Sequence, residues 1–373
     1  MKIEIAVLAT ALTASLCTAA SAQTSVTLYG LIDAAAVSYK GEPTGVKSSD
    51  PKIKALISGG MSTSHWGLKG SEDLGDGLSA FFELSSFLRV DLGQSGRAEA
   101  IGAPVNVAAD PFWSRVAFVG LRGRSWGSLR LGNVGTPLFL SSITSNAFGD
   151  SMTFSPIQLT TFVASPLSGG TAWTNSAIYD SANWSGLSFS LIGSLSENQG
   201  GRNTGGRVNY AQGGFSTSLA WQNVKKNPST FADGLSANNT KAWQLAAMYD
   251  FKVVKVYSHL GNIQNKGTEA LPVDVSYRIW DLSAAVPIGS GNVLVGYADR
   301  KTSDAVGLVP ASVNGGNVAR QVFSLAYDHY LSKRTDVYAL YSQDKTVTNT
   351  LPAPGRLVSA NGNAVAIGIR HRF

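Results

Sequence analysis

Apolar and charged side chains alternate strictly near the end of the chain. Val365, Ile367 and Ile369 fall on one face of an extended segment, and Arg370 and Arg372 fall on the other. Side chains of a β-strand point alternately to opposite faces. The pattern therefore predicts a strand with one face suited to lipid and one suited to water. A buried strand of a soluble β-sandwich would rarely carry two arginines on one face.

The same alternation recurs along the chain in segments of about ten residues, separated by turn residues. The predicted strands are 25–37, 61–70, 77–89, 113–122, 127–133, 173–180, 186–196, 203–210, 214–224, 241–250, 252–260, 275–286, 291–300, 319–329, 335–343 and 363–373. Short turns and long connections alternate between them, as in bacterial outer-membrane barrels. The predicted fold class is all-β, a transmembrane antiparallel β-barrel of about 16 strands with both termini on the short-turn side.

The longest predicted connection is 134–172, which contains one acid, Asp150, and no lysine or arginine. A connection of that length in a compact fold is usually functional. In a barrel it can fold inward and narrow the lumen. We expect it to be a constriction loop.

The N-terminus has the features of a secretory signal peptide. Lys2 precedes an apolar stretch from Ile5 to Leu16, and Ala20-Ser21-Ala22 is a small-residue cleavage pattern. We predict a signal peptide at 1–22 and a barrel domain at 23–373. An uncleaved membrane anchor is the alternative, although no basic cluster follows the apolar stretch.

Composition and charge narrow the class of protein further. The chain has 40 Gly and a single cysteine, Cys17, so the predicted mature part contains no disulfide. Its net charge of +6 is dispersed rather than clustered, which gives little support to nucleic-acid binding. In a closed barrel the same excess would bias the lumen modestly toward anions.

Signals for catalysis are weak. The four histidines show no metal-ligand spacing, and no nucleophile-elbow, phosphate-loop or zinc-protease motif occurs. The glycines of 289–296 fit a tight turn better than a dinucleotide site. We therefore expect no cofactor, no metal and no catalytic residue. A barrel enzyme, or an adhesin that binds through 38–60 and 301–318, remains an alternative that channel conductance would discriminate.

Several short motifs resemble, in order, those of the Gram-negative general (diffusion) porins, especially the β-proteobacterial type. They are Ser25–Asp33, Trp66–Leu78, Ser114–Leu121, Leu131–Asn133, Asn175–Tyr179, Tyr330–Thr335 and Gly368–Phe373. The resemblance covers essentially the whole predicted barrel domain. It implies a homotrimer in outer-membrane lipid, with passive diffusion of small hydrophilic solutes and ions through each pore. It also implies that Phe373 is both an interfacial aromatic and the signal read by the barrel-assembly machinery.

Porins of this kind carry a ladder of arginines on the wall that faces the inward loop. At the matching positions this sequence has His65, Asn133 and Thr174. The predicted channel constriction comprises His65, Glu83, Arg115, Asn133, Asp150 and Thr174.

Two interpretations of this departure stay open. Loss of the ladder would give a channel of weak, slightly anion-preferring selectivity. Alternatively, the charge has moved to Arg115, Lys69 and Glu83, which alternation places on inward-facing positions.

Overall fold

The computed structural model describes residues 25–41, 52–97, 110–162, 168–195, 202–225, 239–266, 274–304, 316–349 and 357–373. The predicted signal peptide, 1–22, lies outside them. The strands are β1 (Ser25–Gly41), β2 (Lys52–Ser58), β3 (His65–Gly75), β4 (Leu78–Arg89), β5 (Gln94–Ser95), β6 (Val116–Gly123), β7 (Gly127–Gly135), β8 (Ala172–Asp180), β9 (Leu187–Ser194), β10 (Asn203–Gln212), β11 (Phe215–Val224), β12 (Asn239–Asp250), β13 (Lys255–Lys266), β14 (Val275–Ile288), β15 (Gly291–Thr302), β16 (Asn317–Tyr330), β17 (Thr335–Asn349) and β18 (Leu357–Arg372).

The strands form one closed antiparallel sheet. Successive strands pair with each other, and β18 pairs with β1 to complete the circle. β2 and β3 both pair with β1 and act as two halves of one barrel strand, interrupted at 59–64. β5 is a short arm that pairs only with the end of β4. The wall is therefore a 16-stranded barrel, which confirms the predicted fold class.

Each predicted strand overlaps an observed one, and the main difference is length on the long-connection side. The strand predicted at 335–343, for example, is Thr335–Asn349. Its last residues are polar, so the apolar alternation that marks a lipid-facing strand stops before the backbone pairing does. Hydrogen bonding between strands continues where the apolar signal has ended.

Turn chemistry and chain ends fit the barrel. Asp76 and Gly77 both have positive φ, at 50° and 76°, which is the geometry of a tight hairpin turn between β3 and β4. The last residue, Phe373, exchanges backbone hydrogen bonds with Gly30 at 3.1 and 3.2 Å. A Cβ atom at position 30 would lie 2.5 Å from the Phe373 ring, so glycine allows this ring to cover β1.

The two faces of the sheet differ as the alternation predicts. Leu28, Val365 and Ile367 are 57%, 56% and 62% exposed and belong to the outer face. The inner face is rich in buried serine, asparagine and charged side chains. Such a wall is apolar outside and polar inside.

The connection after β7 contains two short helices, α1 (Pro137–Thr144) and α2 (Pro156–Thr161). Pro137 occupies the first turn of α1, and the Thr136 hydroxyl accepts a hydrogen bond from the amide of Phe139 at 3.4 Å. No helix among the described residues is long and apolar enough to cross a membrane.

This connection is attached to side chains of the inner face at separate points of the wall. The hydroxyl of Ser141 donates to that of Ser218 on β11 at 3.0 Å. The hydroxyl of Ser324 on β16 donates to the Phe154 carbonyl at 2.7 Å. The connection therefore makes polar contacts with two distant parts of the wall.

Candidate channel lining

Three of the six predicted constriction residues, His65, Glu83 and Arg115, lie in one group on the inner face. The hydroxyl of Tyr29 donates to the Glu83 carboxylate, and Arg115 Nη1 lies 3.7 Å from Glu83 Oε1. The His65 ring meets Tyr29 edge-on, with ring centroids 6.1 Å apart. Asp150 lies on the connection after β7, next to Ser151, whose hydroxyl donates to the Gly60 carbonyl at 2.6 Å. Tyr29 contacts both Glu83 and His65 and so connects the group, and it was not among the predicted constriction residues.

His65 contributes little surface to the lining. Its side chain is buried, and its Nδ1 lies 2.9 Å from the Thr63 carbonyl oxygen. A carbonyl can only accept, so Nδ1 carries the proton and donates. The Nδ1 edge of the imidazole is thus held by the backbone.

Asn133 and Thr174 are not brought into this group. The register pairs Asn133 with Ala117, and its neighbour on the same face of β7, Leu131, is 53% exposed. Asn133 therefore belongs to the outward face. Opposite it, β8 has a bulge that contains Thr174 and Asn175, and Thr174 is exposed.

A larger set of cations lines the inner face between β3 and β10, and we call it the basic wall. It consists of Lys69, Arg115, Arg122, Arg130 and Arg207. Three of these lie over aromatic rings. Lys69 Nζ is 5.0 Å from the centre of the Tyr29 ring, Arg122 is 4.3 Å from that of Phe81, and Arg130 is 5.1 Å from that of Phe118. Such contacts stabilise a cation without removing its charge.

Two carboxylates, Glu83 and Asp180, share this region with the basic wall. Arg130 Nη2 and Asp180 Oδ2 are 2.6 Å apart, and the Ser190 hydroxyl donates to Asp180 Oδ1 at 2.6 Å. Among the described residues, neither Lys69 nor Arg122 has a carboxylate within ion-pair distance. The cations outnumber the acids, so the field over this wall is positive.

Arginines on the opposite side of the barrel have different surroundings. Arg320 Nη1 donates to the Leu159 carbonyl at 2.7 Å, and Arg300 Nη1 donates to the Thr160 carbonyl at 2.6 Å. These carbonyls belong to the last turn of α2, and carbonyls at a helix C-terminus are suited to accept from cationic side chains. We call Arg300 and Arg320 the loop clamp. Arg320 also forms a two-bond pair with Asp344, at 3.1 and 2.6 Å.

The interruption at 59–64 provides a second attachment for the connection after β7. The hydroxyls of Ser151 and Thr153 donate to the carbonyls of Gly60 and Gly59 at 2.6 and 2.9 Å. The amides of the next residues, at 61 and 62, donate to Asp33 Oδ2 at 2.8 and 2.7 Å. The interruption therefore links the connection to β1.

A buried ionic network lies beside this interruption. Arg370 donates through Nε to Asp336 at 2.8 Å, through Nη2 to Asp328 at 2.8 Å, and through Nη1 to the Ser62 hydroxyl at 2.9 Å. Each edge of the guanidinium has a partner, which is the condition under which a buried charge is tolerated.

The sequence contained the signal for part of this lining. Arg122 and Arg130 alternate with exposed apolar residues, Leu121 and Leu129, in the predicted strands, so an inward position follows from period two. The loop clamp had no such signal, because its partners are backbone carbonyls distant in sequence. Among the described residues, no group of three or more His, Cys, Asp or Glu could hold a metal ion.

A closed 16-stranded barrel that is apolar outside, with a charged inner wall, defines the class of transmembrane channels. A family profile described as Gram-negative porin matches residues 7–349. An outer membrane porin protein of Bordetella pertussis is 30% identical, over 98% of this chain and 99% of the relative. Outer membrane porin protein 32 of Delftia acidovorans is 29% identical, over 95% and 96%.

Among solved structures, an anion-selective porin from Comamonas acidovorans superimposes with a TM-score of 0.74 at 25% identity, over 94% of this chain and 100% of that one. The chain belongs to the Gram-negative porin family. It is a channel for passive diffusion in the outer membrane.

Proposed function

We propose that the channel prefers anions and that the basic wall is the source of this preference. The observation that carries the proposal is the excess of cations over carboxylates on the inner face between β3 and β10. Fixed charge on a low-dielectric wall raises the local concentration of counter-ions. The anion-selective porin from Comamonas acidovorans has the same fold, which adds support.

The expectation of a weak, slight preference rested on positions 65, 133 and 174. Of these, His65 is buried and Asn133 faces outward. The alternative interpretation, that charge has moved to other positions, fits the geometry better. We therefore propose a preference stronger than the sequence analysis expected.

We propose that the connection after β7 narrows the channel and leaves its open side at the basic wall. Phe148 and Phe154 pack against β1 and β15–β18. Leu138 and Ile157 pack against side chains of β11–β14. Apolar contacts of this kind exclude water from that side of the lumen, so solutes pass between the connection and β3–β8.

We propose passive diffusion without a catalysed reaction as the activity. A barrel enzyme has no observation in its favour among the described residues. Much of the loops that an adhesin would use, at 42–51 and 305–315, lies outside the described residues.

The test of this function is electrical. We expect stepwise single-channel conductance in planar bilayers and, under a KCl gradient, a zero-current potential of the sign set by chloride. A potential of the sign set by potassium would contradict the anion preference, and an absence of conductance would contradict the channel itself.

We also propose a homotrimer that assembles through β18 and β1. The outer faces of these strands carry Gly30, Ala34 and Ala36 together with branched aliphatic residues, and no Trp or Tyr among the described positions. By contrast, Trp221, Trp243 and Trp280 lie on the outer faces of β11, β12 and β14. Aromatic residues favour the lipid interface, whereas small ones allow close protein contact. Light scattering in detergent should give the mass of a trimer, and a monomer would refute this assembly.

Two further expectations concern biogenesis. If 1–22 is a signal peptide, N-terminal sequencing of the outer-membrane protein should begin at Gln23, and an intact N-terminus would favour the anchor.

If Phe373 is read by the assembly machinery, its deletion should lower outer-membrane yield while secretion continues. Normal yield would limit its role to covering Gly30.

A further inference from the structure

The basic wall contains a recess of about 490 Å³ on the short-turn side of the Glu83–Arg115 pair. Its lining combines the cations Lys69, Arg122 and Arg130 with the carboxylates Glu83 and Asp180 and with three phenylalanines, Phe81, Phe82 and Phe118. The volume is within the range of about 300–1,000 Å³ found for small-molecule sites. Ions alone would not require such a lining.

The cations of the recess remain available to a solute. Lys69 and Arg122 are exposed and lie on neighbouring strands to either side of β4. No carboxylate of the described residues is within ion-pair distance of either. Arg130, by contrast, is already bonded to Asp180. An anion in the recess would therefore meet Lys69 and Arg122, with one carboxylate, Glu83, on the strand between them.

The floor of the recess is aromatic. Phe81 and Phe118 meet edge-on at 5.6 Å, and Arg122 lies over Phe81 with its guanidinium 4.3 Å from the ring centre. Phe118 is buried, whereas Phe81 is only half-buried, so the apolar surface that a solute with an apolar body would cover belongs to Phe81. An arginine stacked on one ring can also stack on a second ring that arrives with the solute.

The connection after β7 adds apolar rather than acidic surface. In α1, Leu140, Ile143 and Thr144 follow helical spacing and form the stripe opposite Leu138 and Ser141, which are buried. The one acid in the whole connection, 134–172, is Asp150. The carboxylates that line the recess are therefore those of the wall, Glu83 and Asp180, and the connection contributes none to its lining.

Resting on the proposed anion preference, we propose that this recess is a transient binding site for carboxylates with a planar apolar body. The carboxylate pairs with Lys69 or Arg122, and the body lies against Phe81. The channel then conducts such anions better than hydroxylated carboxylates of similar ring size. Binding stays weak enough for release, because two flexible cations hold the solute rather than an enclosed pocket.

The experiment measures zero-current potentials with sodium benzoate, cyclohexanecarboxylate or quinate on one side and NaCl on the other. All three are six-membered-ring carboxylates, and quinate carries hydroxyls. We expect benzoate to be about two- to tenfold more permeant than quinate, the ratio typical of one aromatic contact. Cyclohexanecarboxylate should lie between them.

Variants assign the effect to the recess. Phe81→Ser should bring the benzoate-to-quinate ratio close to one, while Phe81→Leu should retain the advantage of cyclohexanecarboxylate over quinate. Arg122→Gln should lower the permeability of both benzoate and quinate. Arg124→Gln is the matched control, because Arg124 is on the same hairpin but does not line this recess. Only inserted pores are recorded, so misfolded protein does not contribute.

The outcomes separate this inference from the proposed function. Chloride preference with a benzoate-to-quinate ratio of one overturns the recess proposal alone. A ratio that Phe81→Ser leaves unchanged overturns it as well, since the selectivity would then arise elsewhere. Loss of chloride preference in the parent overturns the proposed function instead.

Discussion

The arginines on the two sides of the inner wall differ in what surrounds them. Arg122 is exposed and rests on an aromatic ring. Arg300 and Arg320, on the opposite side, are 0% and 1% exposed and donate to carbonyls of α2. A charge that faces water contributes potential to the channel, whereas a buried and bonded charge fixes geometry. The same residue type thus sets selectivity on one side and shape on the other.

The largest effect should come from the buried network. Replacing Arg370 by Met leaves Asp328 and Asp336 without their main cation inside the barrel. Removing one partner of a buried ion pair costs about 3–5 kcal/mol. We expect a marked fall in the temperature at which the folded form disappears on semi-native gels.

Arg372→Met is the control for this change. Arg372 also bonds to Asp336, but its side chain is 43% exposed, so the loss should be about 1 kcal/mol or less. Adding Asp328→Asn and Asp336→Asn to Arg370→Met should restore part of the stability. Equal stability of the Arg370 and Arg372 variants would contradict the distinction between buried and exposed cations.

The next effect concerns the loop clamp. The double variant Arg300→Met, Arg320→Met removes two charge-assisted hydrogen bonds to α2, each of about 1.5–3 kcal/mol. The connection should become less firmly attached, so we expect higher and noisier single-channel conductance. The ratio of chloride to potassium permeability should change little, since these arginines do not face the channel. A large change in that ratio with unchanged conductance would reverse the roles we assign.

The smallest effect is expected at His65. Its ring is buried and donates to the Thr63 carbonyl, so it offers little charge to passing ions. His65→Gln should leave the zero-current potential of a KCl gradient near that of the parent at pH 7. A clear loss of anion preference would show that the imidazole contributes to selectivity after all.

The strands of the barrel wall could be predicted from the sequence, whereas the contacts inside the barrel could be predicted only in part. Alternation of apolar and polar residues predicts both the strand and the direction of each side chain. The inward direction of Arg122 can therefore be inferred from the apolar residues beside it. The exception is Asn133, beside the bulge at Thr174 and Asn175, where matching family motifs gave no information about local register. The contacts of α2 with Arg300 and Arg320 depend on closure of the barrel, which brings distant residues together.

The most direct test of the account compares the two sides of the barrel in one measurement. The zero-current potential under a KCl gradient is recorded for three proteins. They are the parent, the triple variant Lys69→Gln, Arg122→Gln, Arg130→Gln, and the loop-clamp double variant. We predict that neutralising these three cations of the basic wall removes most of the chloride preference, while the clamp variant keeps it. Retention of the chloride preference in the triple variant, or its loss in the loop-clamp variant, would contradict the central claim.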